Sequence, residues 1–146
     1  MAVVRGCNLP DDLLYDVDNH IWFKEVGDGT VKVGMTTVAT AMAGQLVAFT
    51  PKKVGRSVKA GKSVATIESG KWVGPAKSAA AGEVVAVNED LAATPSMAND
   101  DPYDKGWLVV LKPDDWGSVK DTLTPGSQVS GPYEAKMDAD GFAGCA

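Results

Sequence analysis

Few residues of this chain are suited to chemistry, and Lys71 stands out among them. It sits in Thr66-Ile67-Glu68-Ser69-Gly70-Lys71-Trp72-Val73. Apolar residues flank a Ser-Gly-Lys step, which reads as two short strands joined by a tight turn, with Gly70 expected to supply a positive φ. Lys71 is then lifted to an exposed tip. Taken alone, a charge at such a tip is most simply a solvated turn residue. The other candidates are sparse. Cys7 and Cys145 lie one near each end, with no CxxC, and His20 is the single histidine. That is too few soft ligands for a zinc or iron–sulfur site. The cysteines read either as two unrelated thiols on flexible termini or as a tail thiol that reaches a redox site on the body. One histidine leaves no obvious base to activate Ser69 or a cysteine, although lysine- or carboxylate-based schemes stay open. Neither GxGxxG nor GxxxxGK[ST] occurs, so no phosphate cradle is signalled. His20, beside aromatic residues and without partner ligands, reads as structural. Trp22, Trp107 and Trp116 read as core anchors. Trp72 is set apart because it directly follows Lys71.

The bulk numbers narrow the classes further. The chain of 146 residues is long enough for one domain with a proper core. A net charge of −5 and the lack of any Lys/Arg run argue against a general nucleic-acid or membrane-surface binder. No stretch approaches the roughly 20 apolar residues of a membrane span. Met1 to Pro10 lacks a charged start followed by a long apolar run, so no signal peptide is expected and the expected location is the cytoplasm.

The elements that must position Lys71 are mostly short strands. Residues 1–19 form a lead-in with little periodicity, docked by Leu13, Leu14 and Tyr15. His20 to Lys24 reads as a strand, and Gly27-Asp28-Gly29 as a turn. Thr30 to Met35 alternates polar and apolar and completes a hairpin. Thr36 to Gly44 is Ala-rich, with Thr36 or Thr37 as N-cap and Gly44 as C-cap, and predicts one short helix. Strands follow at Gln45 to Thr50 and Ser63 to Ile67. Glu83 to Asn88 is the clearest alternating strand, and Trp107 to Leu111 a strongly apolar one. A short helix is expected from about Trp116 to Leu123. Residues 124–146 are rich in Gly, Pro and Ala and are expected to be a mobile tail, at least beyond Glu134. The sequence Ala60 to Glu68 is weakly echoed by Ala81 to Glu89, which points to related strand units on either side of the Lys71 turn. Many short strands with Gly turns imply a mainly β sandwich or barrel with short flanking helices, its body at residues 20–123.

From about His20 to Trp116 the chain resembles the H protein of the glycine cleavage system, a lipoyl carrier. The resemblance lies in His20-Ile21-Trp22, Gly27 to Gly34, Val58 to Gly61, Ile67-Glu68-Ser69-Gly70-Lys71, Gly82 to Asn88, and Asn99 to Tyr103 with Gly106-Trp107-Leu108. Biotin carriers share the fold type, but their lysine lies between methionines, and no Met-Lys-Met occurs here. The resemblance implies a hybrid barrel-sandwich, covalent lipoate on Lys71, and a carrier that does no catalysis itself. Its implied partners are a lipoate-protein ligase and dihydrolipoamide dehydrogenase. The chain departs from the usual Glu-Ser-Val-Lys-Ala pattern: Gly70 and Trp72 replace Val and Ala, Val73-Gly74-Pro75 follows, and Ala79 stands where the family often has Pro. The Ser-Gly-Lys-Trp-Val-Gly-Pro run is similar to lipoate-binding proteins of bacterial sulfur oxidation, which work with a heterodisulfide-reductase-like complex. That implies a cargo of sulfur intermediates or reducing equivalents; the alternatives are an aminomethyl group, or an unmodified binding module of the same fold. Under the carrier reading Glu68, Ser69 and Gly70 are expected to serve ligase recognition. Trp72 is expected either to pack or to give the dithiolane an apolar rest, and Cys145, with Cys7, to serve the arm in redox exchange.

Overall fold

The computed structural model describes residues 1–145. Three antiparallel sheets form it. A small hairpin pairs β1 (Ala2–Val4) with β2 (Cys7–Leu9). The next strands are β3 (Leu14–Asp16), β4 (Ile21–Glu25) and β5 (Val31–Met35), then α1 (Thr37–Ala43), β6 (Leu46–Pro51), β7 (Ser57–Val58), β8 (Lys62–Ser69), β9 (Val73–Ser78) and β10 (Gly82–Val87). Beyond them lie α2 (Glu89–Ala93), α3 (Met97–Asp100), β11 (Val109–Pro113), α4 (Trp116–Lys120), β12 (Thr124–Pro125) and α5 (Ser130–Asp140). The larger sheet runs β12-β3-β4-β5-β11-β10-β7 and the smaller one β6-β8-β9. The two echoed segments, in β8 and β10, fall in different sheets. This is a mainly β barrel-sandwich with short helices. No helix among the described residues is long and apolar enough to cross a membrane.

Strand alternation builds the core. In β8, Val64, Ala65, Ile67 and Ser69 are buried while Lys62, Thr66 and Glu68 face out. Val64, Ala65 and Ile67 meet Ile21, Phe23, Val31, Val33 and Leu111 of the larger sheet in one apolar cluster. Helix α1 forms where expected: the Thr36 hydroxyl accepts the Ala39 N–H, and the Gly44 N–H donates to Thr40 O at φ +83°. Trp22 is fully buried, and its Nε1–H donates to Met35 O and Pro102 O.

The two ends of the chain depart from the expectation. The lead-in folds as β1–β3, and the segment from 124 is not a loose tail. Its strand β12 pairs with β3, and α5 buries Tyr133 and Met137, one helical turn apart. These side chains join Val4, Cys7, Leu9, Tyr15, Trp22 and Val38 in a second apolar cluster. Arg5 ties α5 down through ion pairs with Glu134 and Asp138 and donates to Phe142 O at 3.0 Å. Cys7 and Cys145 are not free thiols on mobile ends. They form a disulfide with Cα atoms 5.0 Å apart, because the first hairpin and the residues after α5 pack side by side.

Helix α5 also holds His20. The His20 ring stacks on Tyr133, with centroids 5.7 Å apart. Its Nδ1 lies 3.3 Å from the Tyr133 hydroxyl and its Nε2 3.6 Å from an Asp140 oxygen. Burial lowers its pKa below the ordinary histidine value, and Asp140 opposes that only in part.

Two outcomes are expected. Cys145→Ser should cost about 2–4 kcal/mol in urea unfolding under non-reducing conditions, since the bond closes a very long loop in the unfolded chain. Reductant should then destabilise the parent but not the variant. For His20, the unfolded chain binds the proton more readily than the folded one. Stability should therefore fall as pH drops below the ordinary histidine range, with a slope bounded by one proton. His20→Asn, which tolerates the φ of +57° at this position, should flatten that step in pH-dependent thermal melts.

Candidate functional site

Lys71 stands at the exposed tip between β8 and β9. The turn is closed by the Ser69 N–H donating to Trp72 O at 2.7 Å, and the Lys71 N–H donates to the Ser69 hydroxyl at 3.3 Å. Ser69 is therefore 5% exposed and works inward, whereas Glu68, Gly70, Lys71 and Trp72 face out. Gly70 does not take a positive φ. No atom lies within 4 Å of a Cβ built there, so glycine at 70 leaves the tip without bulk. Lys71 forms no ion pair among the described residues.

The lysine stem lies over the C-terminal end of α1. A Cβ added at Gly44 would stand 3.2 Å from Lys71 Cε. Asn99 fixes that helix end: its Nδ2–H donates to Gly44 O at 2.9 Å, and its Oδ1 accepts the Leu46 N–H at 2.9 Å. The sequence places Asn99 in the Asn99 to Tyr103 run that carries the resemblance, without assigning it a structural role. Its partners lie more than fifty residues away, and no local signal announces them.

Beside Lys71 opens a cleft of about 400 Å³. Ile21 and Met35, paired across β4 and β5, line it with one face of α1 (Ala39, Met42 and Ala43). Trp72, Pro75 and Ala76 contribute from the hairpin, and Asn19 and His20 are the remaining lining residues besides Lys71. Trp72 remains 41% exposed. Its indole lies against Gly74, where an added Cβ would fall 2.2 Å from Cζ2. Glycine at 74 is thus what lets the ring lie flat. The lining is mostly apolar, and no carboxylate belongs to it. Among the described residues no cluster of His, Cys, Asp or Glu could hold a metal.

The structure thus brings Lys71, Trp72 and His20 to one cleft and gives Ser69 a turn-closing role. Cys7 is fully buried in the second apolar cluster, and Cys145 is bonded to it. An exposed amine beside an apolar slot suits a group attached to the lysine and laid along the slot. A long acyl chain ending in a ring of carbon and sulfur fits such walls.

The chain is similar to known proteins over most of its length. The model of the family described as glycine cleavage H-protein matches residues 13–134. Glycine cleavage system H protein 5 of Aquifex aeolicus is 52% identical over 134 residues, covering 89% of this chain and 90% of the relative. A probable glycine cleavage system H protein 2 of Sulfurisphaera tokodaii is 42% identical, covering 89% of each chain. The crystal structure of a glycine cleavage system H protein from Mycobacterium marinum superposes with a TM-score of 0.76 at 31% identity, over 89% of this chain and 99% of that one. The chain belongs to the glycine cleavage H-protein family, non-catalytic carriers that hold lipoate covalently on a lysine.

Proposed function

We propose that Lys71 is the lipoylated lysine of this carrier and that the cleft beside it receives the arm. The observation that carries this reading is the exposed lysine, without an ion-pair partner among the described residues, at the mouth of an apolar cleft. Acylation turns Nζ from an ammonium into a neutral amide, so the side chain can lie along apolar walls without burying a charge. When bound, lipoate supplies a two-electron disulfide/dithiol couple. Met35, Met42 and Trp72 offer soft, polarisable contacts to sulfur. Glu68, Gly70 and Trp72 are the tip residues that a lipoate-protein ligase would read, while Ser69 holds the turn that presents them. The proposed setting is the cytoplasm.

Two readings of the cargo follow. The relatives are named as glycine cleavage proteins, which supports an aminomethyl group moved between a glycine-decarboxylating enzyme and later partners, with dihydrolipoamide dehydrogenase restoring the disulfide. The cleft favours the second reading, a sulfur cargo or reducing equivalents exchanged with a heterodisulfide-reductase-like complex. An amine is cationic near neutral pH and its burial calls for an acidic partner. No carboxylate lines this cleft. A neutral sulfur group needs none.

Protein from its native host should show a lipoyl increment in intact mass, and Lys71→Arg should remove it. An increment that persists in the variant, or is missing from the native protein, sinks the assignment. Lipoylated protein incubated with a glycine-decarboxylating partner and labelled glycine separates the cargoes. Efficient labelling supports the aminomethyl reading. No labelling, beside a control H protein that loads well, supports the sulfur reading.

A further inference from the structure

Both cysteines lie outside the 13–134 span that the family model matches, and the structure joins them. The bond lies beside the arm cleft's supports. Cys145 follows α5; its N–H donates to Arg5 O at 2.9 Å, and its sulfur lies 3.7 Å from Thr37 O, at the first residue of α1. Two routes run from α5 to the cleft. The Tyr133 hydroxyl stands 3.3 Å from the Oγ1 of Thr36, the N-cap of α1, and α1 lines the cleft. The same hydroxyl and Asp140 flank the ring nitrogens of His20, another lining residue.

We propose that the Cys7–Cys145 disulfide is a redox switch on the arm cleft, holding it firm when oxidised and loosening it when reduced. The switch rests on the reading that the cleft receives the arm of Lys71. Cys145 is partly exposed while Cys7 is fully buried, so an external dithiol reaches Cys145 first. One thiolate of that dithiol attacks the Cys145 sulfur and expels Cys7 as a thiolate, which takes up a proton. The second thiol of the reductant then closes on the mixed disulfide and releases Cys145. The external dithiol ends as a disulfide, having given two electrons and two protons to Cys7 and Cys145. With the bond open, α5 is an eleven-residue helix, too short to be stable by itself. Its apolar hold is Tyr133 and Met137. Disulfides are rare in the cytoplasm, and those that form there are mainly transient, catalytic or redox-sensing.

The test uses the full-length chain. Alkylation before reduction should label neither cysteine. In unlipoylated protein, Cys145→Ser should speed amide exchange about tenfold or more in residues 130–140 and also in 37–43. The parent reduced by a water-soluble phosphine should match the variant, which guards against a folding defect of the substitution. In lipoylated protein, the initial rate at which the same phosphine opens the dithiolane, read by near-ultraviolet absorbance before the Cys7–Cys145 bond is reduced, should be several-fold faster in Cys145→Ser than in the oxidised parent. Unchanged exchange in 37–43, or an unchanged rate of ring opening, overturns the switch. Whether Lys71 carries the arm is read separately from intact mass, so failure of that assignment is distinct from failure of the switch.

Discussion

The inward face of β8 governs the site. Val64, Ala65, Ile67 and Ser69 are committed to the interior, so the strand has only one register that keeps them there. A slip of one residue would turn Ile67 and Ser69 outward. Because Ile67 pairs with Gly74 and Glu68 with Val73, that register also decides which residues occupy the turn. Lys71 is at the tip because Ile67 is in the core. The closing bond from Ser69 to Trp72 then stiffens the tip.

The second support comes from the other side of the lysine. Helix α1 ends beneath its stem, and Asn99 fixes that end by serving Gly44 and Leu46 at once. Two independent elements, one from each side, therefore limit where the amine can point. The cleft between them is built from residues far apart in the chain. Its mostly apolar walls accept a neutral group far more readily than an ammonium.

Local features of the fold are legible in the amino-acid sequence. The Thr36 and Gly44 caps announce α1, the Gly27-Asp28-Gly29 turn announces the β4–β5 hairpin, and the Ser-Gly-Lys step announces the tip. The long-range pairings are not legible in the same way. Helix α5 buries only Tyr133 and Met137, too thin an apolar stripe to stand out in a Gly- and Pro-rich segment. The disulfide joins residues separated by 138 positions, and spacing says nothing of such a pair. Gly70 misleads in a different way: glycine at a turn invites a positive φ, but here what it contributes is absence of bulk. Met35, Met42 and Ile21 read only as strand and helix residues, and only the tertiary fold, which brings β4, β5, α1 and β9 around one cleft, makes them its wall.

Pro75 has a consequence beyond the wall it forms. Strand β9 is one edge of the three-stranded sheet, with β6 at the other. An exposed edge strand is a template on which other chains can add. Proline within β9 removes a backbone donor, and Pro51 closes β6 in the same way. Both rims of the sheet that bears the lysine are thus poor templates for fibril growth. A protein that must part from each client after a brief encounter keeps its hairpin from sticking to copies of itself.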